Sequence, residues 1–186
     1  MSISIGKHSY LNEPYSSGWY DNARLDDGAK PNVSIGNYTS IGKNCQFILT
    51  HHNYKTVSTC PLFGNVFSRG NILIGNDVWI GMNVTILDNV TIGDGAVIGA
   101  GSVVSTNIPA YAIAVGNPCK VVKYRFPEPY IHQLLETKWW NLEKDQLLAL
   151  GIKDNKDIES FIQTVQKYRQ NPIISTPLGV CLALDL

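Results

Sequence analysis

A six-residue period runs through the middle of the sequence and limits what the chain can fold into. Between residues 72 and 107 an aliphatic residue recurs at every sixth position, at Ile74, Ile80, Ile86, Ile92, Ile98 and Val104. A small or aliphatic residue stands two positions before each of them, and Asn, Asp and Gly are common in the intervals. A period of six does not match the 3.6 residues of an α-helical turn. It suits very short strands, in which residues two apart share a face and Gly, Asn and Asp form the turns between strands.

Fixed short periods of this kind are typical of solenoids, and six-residue repeats are typical of parallel β-helices. Successive coils of such a solenoid stack about 4.8 Å apart, so the aliphatic residues form a ladder inside it. Glycine follows the aliphatic residue in four of the six units, and Leu87 and Ser105 take its place in the other two. The sequence therefore predicts a mainly β protein built as a parallel β-helix.

The repeat is interrupted by a long excursion. The six-residue spacing is regular up to Ile41 and again from Ile74, whereas residues 47–71 do not keep it. Long segments without a pattern of their own are often functional. This one contains two adjacent histidines, His51 and His52.

Length and charge exclude several classes of protein. A chain of 186 residues suits one main domain with an appendage. Lys plus Arg and Asp plus Glu are both 15, so a general nucleic-acid binder is not expected. No run of about 18 apolar residues and no secretory signal is visible, so no membrane partner is predicted. The four cysteines are scattered, and we expect reduced thiols in a cytoplasmic protein.

Several ordered motifs resemble one family. The tandem repeat, the segment IGNDVWIG (74–81) and the segment VGNPCKVVKYRF (115–126) resemble the hexapeptide-repeat acyltransferases of the xenobiotic type, which acetylate streptogramins and chloramphenicol. The resemblance covers about residues 1–145. It implies a left-handed parallel β-helix over residues 1–126, a helical extension and tail over 127–186, and a homotrimer with active sites between subunits. It also implies acetyl coenzyme A as co-substrate, with no metal required.

The resemblance also implies a catalytic base. In that family the excursion carries a catalytic histidine at a fixed spacing before a proline, and His52 stands at this spacing from Pro61. His51 is one residue too far away and is the weaker candidate. The family pattern further implies that the main-chain carbonyl of Trp79 accepts the Nδ1 proton of His52 and leaves Nε2 as the base. An imidazole with an ordinary pKa near about 6.5 suits proton removal at neutral pH.

Coenzyme A needs cations for its phosphates and a narrow groove for its pantetheine arm. The candidate cations follow the last coil and are Lys120, Lys123 and Arg125, and by analogy Pro118 lies against the adenine. Small residues offer the floor of the groove, namely Gly81, Gly99, Ala100, Gly101 and Ser105. Each charge can equally be a solvated edge, and the glycines serve equally as turns.

The sequence does not decide which molecule accepts the acetyl group. Aromatic residues with polar tips are the candidates for its binding site, namely Tyr10, Tyr15, Trp19, Tyr20 and Tyr54. Such side chains contact sugar faces and apolar antibiotics equally well, or form a wall at the end of the solenoid. The first hypothesis is an O-acetyltransferase acting on a sugar or polysaccharide, because the segment from Pro61 to Ile74 is short for a wall around a large drug. A streptogramin A or chloramphenicol acetyltransferase is the second, and a non-catalytic β-helix scaffold is the third.

Overall fold

The computed structural model describes residues 3–12, 32–60, 66–152 and 156–170. Its strands are β1 (Ile3–Ile5), β2 (Tyr10–Leu11), β3 (Val33–Ile35), β4 (Ser40–Ile41), β5 (Gln46–Ile48), β6 (His51–His52), β7 (Val66–Phe67), β8 (Ile72–Ile74), β9 (Trp79–Ile80), β10 (Thr85–Leu87), β11 (Thr91–Ile92), β12 (Val97–Ile98), β13 (Val103–Val104), β14 (Ala112–Val115) and β15 (Lys120–Tyr124). Its helices are α1 (Glu128–Thr137), the 3-10 helix η1 (Trp139–Asn141), α2 (Lys144–Ala149) and α3 (Ile158–Gln170). The predicted class, mainly β with a helical C-terminal segment, is confirmed.

Apart from β6 and β7, which pair with each other, the described strands form three sheets, and the chain adds a strand to each of them in turn. The first sheet has the order β1-β3-β8-β11, the second β15-β14-β12-β9-β4-β2 and the third β13-β10-β5. Neighbouring strands are parallel except β14 and β15, and the register places Ile74 beside Ile92 and Ile80 beside Ile98. Each coil therefore uses three six-residue units, which makes the fold a parallel β-helix.

Three corners join the sheets within each coil. Corner 1 lies between the first and second sheets (residues 75–78 and 93–96), and corner 2 lies between the second and third (81–84 and 99–102). Corner 3 lies between the third sheet and the first (88–90 and 105–107). These corners decide which turn residues stack on one another from coil to coil.

The aliphatic ladder fills the interior. The six residues that define the period, from Ile74 to Val104, are all buried, with 0 to 4% of their surface exposed. The residues two positions before each of them are buried as well, namely Ile72, Val78, Val84, Val90, Ala96 and Ser102. Burying a Val or Ile side chain contributes about 1.5–3 kcal/mol, so the ladder is the main source of stability of this part of the chain.

Polar side chains join the coils at corner 1. The amide of Asn37 donates to Asn76 Oδ1 at 2.8 Å, and the amide of Asn76 donates to Asp94 Oδ1 at 2.7 Å. Glycine is required beside this ladder, because a Cβ atom on Gly75 would lie 2.6 Å from Asp94 Oδ1. The close stacking of the coils thus explains both the glycine and the Asn/Asp positions of the repeat.

The excursion leaves the β-helix at corner 3. β5 pairs with β10 through Ile48, and Phe47 is fully buried, so the excursion begins after Ile48 rather than at the predicted residue 47. Its two arms, β6 and β7, pair antiparallel to each other. The chain rejoins the first sheet at β8.

The Cα positions divide the chain into two compact units, Met1–Ile131 and His132–Leu186. In the second unit, Ile162 and Val165 of α3 are buried, and Trp139 meets the Phe161 ring edge-on with 5.9 Å between the ring centroids. The tail 172–186 lies outside the described residues. Across the described ranges, no helix combines the length and the apolar character needed to cross a membrane.

The interior ladder predicts that substitutions at two adjacent positions of β10 have very different effects on the free energy of unfolding. Ile86→Ala is expected to lower the free energy of unfolding by about 2–5 kcal/mol, because it leaves a cavity among fully buried residues. Thr85 faces the other side of β10, and Thr85→Ala is expected to cost about 1 kcal/mol or less. Chemical denaturation at one protein concentration measures both, and equal losses would contradict the assignment of the faces.

Candidate active site

His52 lies on the first arm of the excursion, and its side chain is half-buried. Its Nδ1 atom is 2.6 Å from the main-chain carbonyl oxygen of Thr59, seven residues further along the same excursion. A carbonyl oxygen only accepts, so Nδ1 carries the proton and donates it. The neutral imidazole is therefore in the tautomer whose Nε2 is basic.

A local turn brings Thr59 back to His52. The Thr56 hydroxyl donates to the carbonyl oxygen of Asn53 at 2.9 Å and lies 2.8 Å from that of Ser58. The side chain of Asn53 accepts from the amide of Lys55 at 3.0 Å. These short-range contacts favour a compact turn between the two residues.

The acceptor for Nδ1 differs from the predicted one. Trp79 donates its main-chain N–H to Ala96 at 2.9 Å, and the carbonyl of a residue in a parallel strand points to the same neighbour as its N–H. The Trp79 carbonyl thus faces β12, within the second sheet. Within this chain, His52 Nδ1 donates to the Thr59 carbonyl, whereas the family resemblance implies the Trp79 carbonyl.

His51 has a different partner, which the sequence did not reveal. Its Nε2 is 2.5 Å from Oδ1 of Asp88, whose side chain is fully buried at corner 3. Oδ2 of the same carboxylate accepts from the amide of Arg69 at 2.5 Å, and the Ser68 hydroxyl lies 3.4 Å away. One feature of the sequence does mark this place: Leu87 stands where most units of the repeat have glycine, and Asp88 follows it.

Four of the five small residues assigned to the groove floor lie together. Gly81, Gly99, Ala100 and Gly101 stack at corner 2, where a Cβ atom on Gly81 would lie 2.6 Å from the Ala100 amide nitrogen. Around Gly101 the corner is open, since a Cβ atom there would meet nothing within 4 Å. Ser105 lies at corner 3 instead, so the structure separates it from the other four.

The segment between β14 and β15 covers corner 2. The Val103 amide donates to the Gly116 carbonyl oxygen at 3.0 Å, and the Gly116 amide donates to the Ser102 hydroxyl at 3.0 Å. Pro118 lies in this segment, and both it and the following Lys120 are exposed. Lys123 is exposed further along β15. Two of the predicted cations are thus accessible beside the small-residue corner.

The third predicted cation, Arg125, is held by the β-helix. Its Nη1 donates to Asp77 Oδ2 at 3.0 Å and to the Gly95 carbonyl oxygen at 2.7 Å. The guanidinium also lies 5.2 Å from the ring centroids of Tyr111 and Phe126. These contacts favour a structural role for Arg125, anchoring the end of β15, over binding of a ligand phosphate.

Of the aromatic candidates for the acceptor site, Tyr10 and Tyr54 are described. Tyr10 is exposed on β2, in the register row that continues through Ser40 to Trp79. Tyr54 is 75% exposed on the excursion. Tyr15, Trp19 and Tyr20 lie outside the described residues. Among the residues that are described, no group of three or more His, Cys, Asp or Glu side chains is placed to hold a metal ion.

The repeat matches a known family. The family described as bacterial transferase hexapeptide (six repeats) matches residues 71–106. Over 172 residues the chain is 35% identical to a chloramphenicol acetyltransferase of Klebsiella aerogenes, and the match covers 80% of each protein.

Solved structures show similar folds. A hexapeptide-repeat-containing acetyltransferase of Vibrio cholerae, in complex with acetyl coenzyme A, is 29% identical, with a TM-score of 0.56 over 67% of this chain and 61% of that one. A maltose O-acetyltransferase from Clostridium difficile is 30% identical, with a TM-score of 0.52 over 67% of this chain and 60% of that one. The chain thus spans about three fifths of each of these structures.

The burial of the Asp77 carboxyl predicts a pH dependence of stability. Burial raises the pKa of Asp77 above its usual 3.8, although the Arg125 charge acts in the opposite direction. The folded state therefore holds this proton more tightly than the unfolded state, and stability falls as the pH rises from about 3.8 through the folded pKa. As the pH rises, wild type is expected to lose free energy of unfolding relative to Asp77→Asn, because asparagine does not titrate. Denaturation of both proteins from below pH 3.8 to neutrality measures it, and a shift in favour of wild type contradicts it.

Proposed function

The chain belongs to the hexapeptide-repeat acetyltransferases of the xenobiotic type, and on that premise we propose that it transfers an acetyl group from acetyl coenzyme A to a hydroxyl of a sugar or polysaccharide, with His52 as general base. The observation that carries this proposal is the hydrogen bond from His52 Nδ1 to Thr59, which fixes the tautomer. We take the β-helix to be left-handed, as in the family. The named activity of the relatives weighs against a non-catalytic scaffold.

The proposed reaction is a direct transfer. The acceptor hydroxyl gives its proton to Nε2 of His52 while its oxygen attacks the thioester carbonyl carbon. The tetrahedral intermediate then expels the thiolate of coenzyme A as the carbon–sulfur bond breaks. The protonated imidazole returns its proton to that sulfur. The Thr59 carbonyl stabilises the imidazolium, because its oxygen accepts a hydrogen bond from the N–H at Nδ1.

Corner 2 is the proposed coenzyme A site. Exposed Lys120 and Lys123 supply positive charge for the phosphates. The open corner around Gly101 has room for the narrow pantetheine arm. Pro118, in the segment that covers this corner, offers an apolar surface to the adenine. Arg125 is left out of this site because its donors are engaged by Asp77 and Gly95.

The acceptor class rests on the exposed aromatic residues and on the short excursion. Tyr10 and Tyr54 present rings with polar tips, which suit the apolar faces and hydroxyls of a sugar. The relative from Clostridium difficile is named a maltose O-acetyltransferase. The relative from Klebsiella aerogenes is named a chloramphenicol acetyltransferase and matches more of the chain, which supports acetylation of an antibiotic as the second candidate.

A homotrimer is part of the proposal. Trp79 is 60% exposed on the outer face of the second sheet, and Tyr10 and Val115 of the same sheet and Met82 at corner 2 are exposed as well. Exposed apolar and aromatic side chains on one face are a feature of protein–protein interfaces, which supports an interface here. In the family the excursion reaches over a neighbouring subunit, so in the proposed trimer this face would meet the excursion of a neighbouring copy, with the active site between them.

The trimer predicts a mass in solution about three times the 20.5 kDa of the chain. Trp79→Glu is expected to lower that mass, because an ionised carboxylate at an apolar interface is costly. Light scattering behind size-exclusion chromatography measures both proteins. A wild-type protein that stays monomeric at assay concentrations would remove the trimer from the proposal.

The proposed role of His52 as general base predicts that replacing it strongly lowers turnover. His52→Ala is expected to lower kcat by about 10²–10⁴-fold, the usual contribution of a general base. His132→Ala, a control at an exposed histidine of α1, is expected to retain activity. Release of the coenzyme A thiol is followed with a panel of saccharides and nucleotide sugars, chloramphenicol and a group A streptogramin.

The acceptor that gives turnover decides between the two candidates. Transfer to a sugar that is lost in His52→Ala supports the first, and transfer to a drug with the same loss supports the second. Turnover that is unchanged in His52→Ala excludes His52 as the base.

A further inference from the structure

The carboxylate of Asp88 joins both arms of the excursion. On the first arm, His51 Nε2 donates to Oδ1 at 2.5 Å. On the second arm, the Arg69 amide donates to Oδ2 at 2.5 Å, and the Ser68 hydroxyl lies 3.4 Å from the same oxygen. Asp88 itself belongs to corner 3 of the β-helix, so three separate parts of the chain meet at one side chain.

Because the Asp88 carboxylate is buried, the loss of any of these hydrogen bonds would be costly in free energy. The Asp88 side chain is fully buried, and an ionised carboxylate in such a place is unfavourable unless each oxygen accepts hydrogen bonds. The carboxylate therefore favours the arrangement in which both arms supply their donors. Moving either arm away would leave a buried acceptor without its partner.

The position of Asp88 in the coil explains why it meets the excursion. Ile48, the last residue of β5, is the register partner of Leu87, the last residue of β10. The residues after this pair are the start of the excursion on one coil and Asp88 on the next. Asp88 is thus placed by the rigid stack of coils at the point where the chain leaves it.

The two histidines lie on opposite faces of one short strand. His51 and His52 are adjacent on β6, and adjacent side chains of a strand point in opposite directions. Fixing His51 towards Asp88 therefore directs His52 away from it, towards the turn that contains Thr59. A slip of one residue would exchange the two imidazoles.

The hairpin alone is a weak support for this arrangement. β6 and β7 share two register pairs, His51 with Phe67 and His52 with Val66. An isolated two-stranded hairpin is marginally stable in water, and this one is very short. A tether to the β-helix is needed to keep the position of His52 fixed.

We propose that Asp88 is a positioning residue of the active site, which through His51 and the second arm holds the excursion so that His52 faces the reacting groups. This inference rests on the proposed function of His52 as base. Asp88 does not touch the substrate in this role. It sets the distance and direction of the imidazole relative to the rigid corners of the β-helix.

The test compares Asp88→Asn with a matched control, Asp94→Asn. Each substitution replaces a carboxylate that accepts a main-chain amide, Arg69 for Asp88 and Asn76 for Asp94. In Asp88→Asn an NH₂ group faces one of the donors. The expected result is a fall in kcat of about 10- to 100-fold, as for a misplaced catalytic group, with an unchanged KM for acetyl coenzyme A. Asp94→Asn is expected to keep the wild-type kcat, with both variants assayed well below their melting temperatures.

Variants of His51 test whether the hydrogen bond carries the effect. His51→Gln keeps an N–H donor for Asp88, and His51→Phe keeps a ring without one. We expect His51→Gln to retain clearly more of the wild-type kcat than His51→Phe. Equal losses in the two variants, a wild-type kcat in Asp88→Asn, or the same kcat loss in Asp94→Asn would each overturn the proposal.

The outcomes separate this inference from the proposed function. If His52→Ala loses turnover and Asp88→Asn does not, the proposed function stands and the positioning role fails. If His52→Ala is active and His51→Gln is inactive, His51 with Asp88 is the base, and the positioning role fails as well.

The rate of chemical modification of the two histidines tests the proposal without an activity assay. Diethyl pyrocarbonate modifies accessible imidazoles, and peptide mass spectrometry follows the rate at His51 and His52 in each protein. Both rates are expected to rise severalfold in Asp88→Asn and to stay at wild-type values in Asp94→Asn. Rates in Asp88→Asn equal to wild type would overturn the proposal even if no acceptor is found.

Discussion

The return of an aliphatic side chain to the interior at every sixth residue is the constraint on which the rest of the structure depends. It fixes the register between coils, because Ile74 pairs with Ile92 and Ile80 with Ile98, each three six-residue units further along. A fixed register in turn gives each corner a fixed position. The chain can therefore leave the stack at a corner and rejoin it without disturbing the coils on either side, as it does between β5 and β8.

The sequence was informative where the determinants are local and repeated. The ladder positions, the turns and the existence of the excursion follow from a period that is visible in the residues themselves. The contacts that the sequence did not reveal are those between distant residues. The pairing of His51 with Asp88 joins residues 37 positions apart, and the missing glycine at Leu87 marks the place in the repeat without naming the partner. Size alone groups Ser105 with the glycines and charge alone groups Arg125 with the lysines, whereas the structure places Ser105 at another corner and Arg125 on Asp77.

The partner of His52 shows how the fold limits the choice of acceptor. A carbonyl in the second sheet, such as that of Trp79, points along the ladder to the next strand, because the strands are stacked in register. The turn between Asn53 and Cys60 has no such ladder, and its carbonyls can point at a side chain of the excursion itself. The Thr59 carbonyl therefore moves with His52 and keeps the Nδ1 proton in place wherever the excursion lies.

That arrangement fixes the tautomer of His52 but not its position, since Thr59 and His52 belong to the same segment. A general base needs both, because proton transfer depends on the distance between Nε2 and the acceptor hydroxyl. Position has to come from a group on the rigid coils, and the coils approach the excursion at corner 3. A side chain there must be short, buried and able to accept from two arms at once, which a carboxylate does with its two oxygens. On the proposed role of His52, Asp88 and the two adjacent histidines act together, because His51 faces the coils and His52 faces away from them.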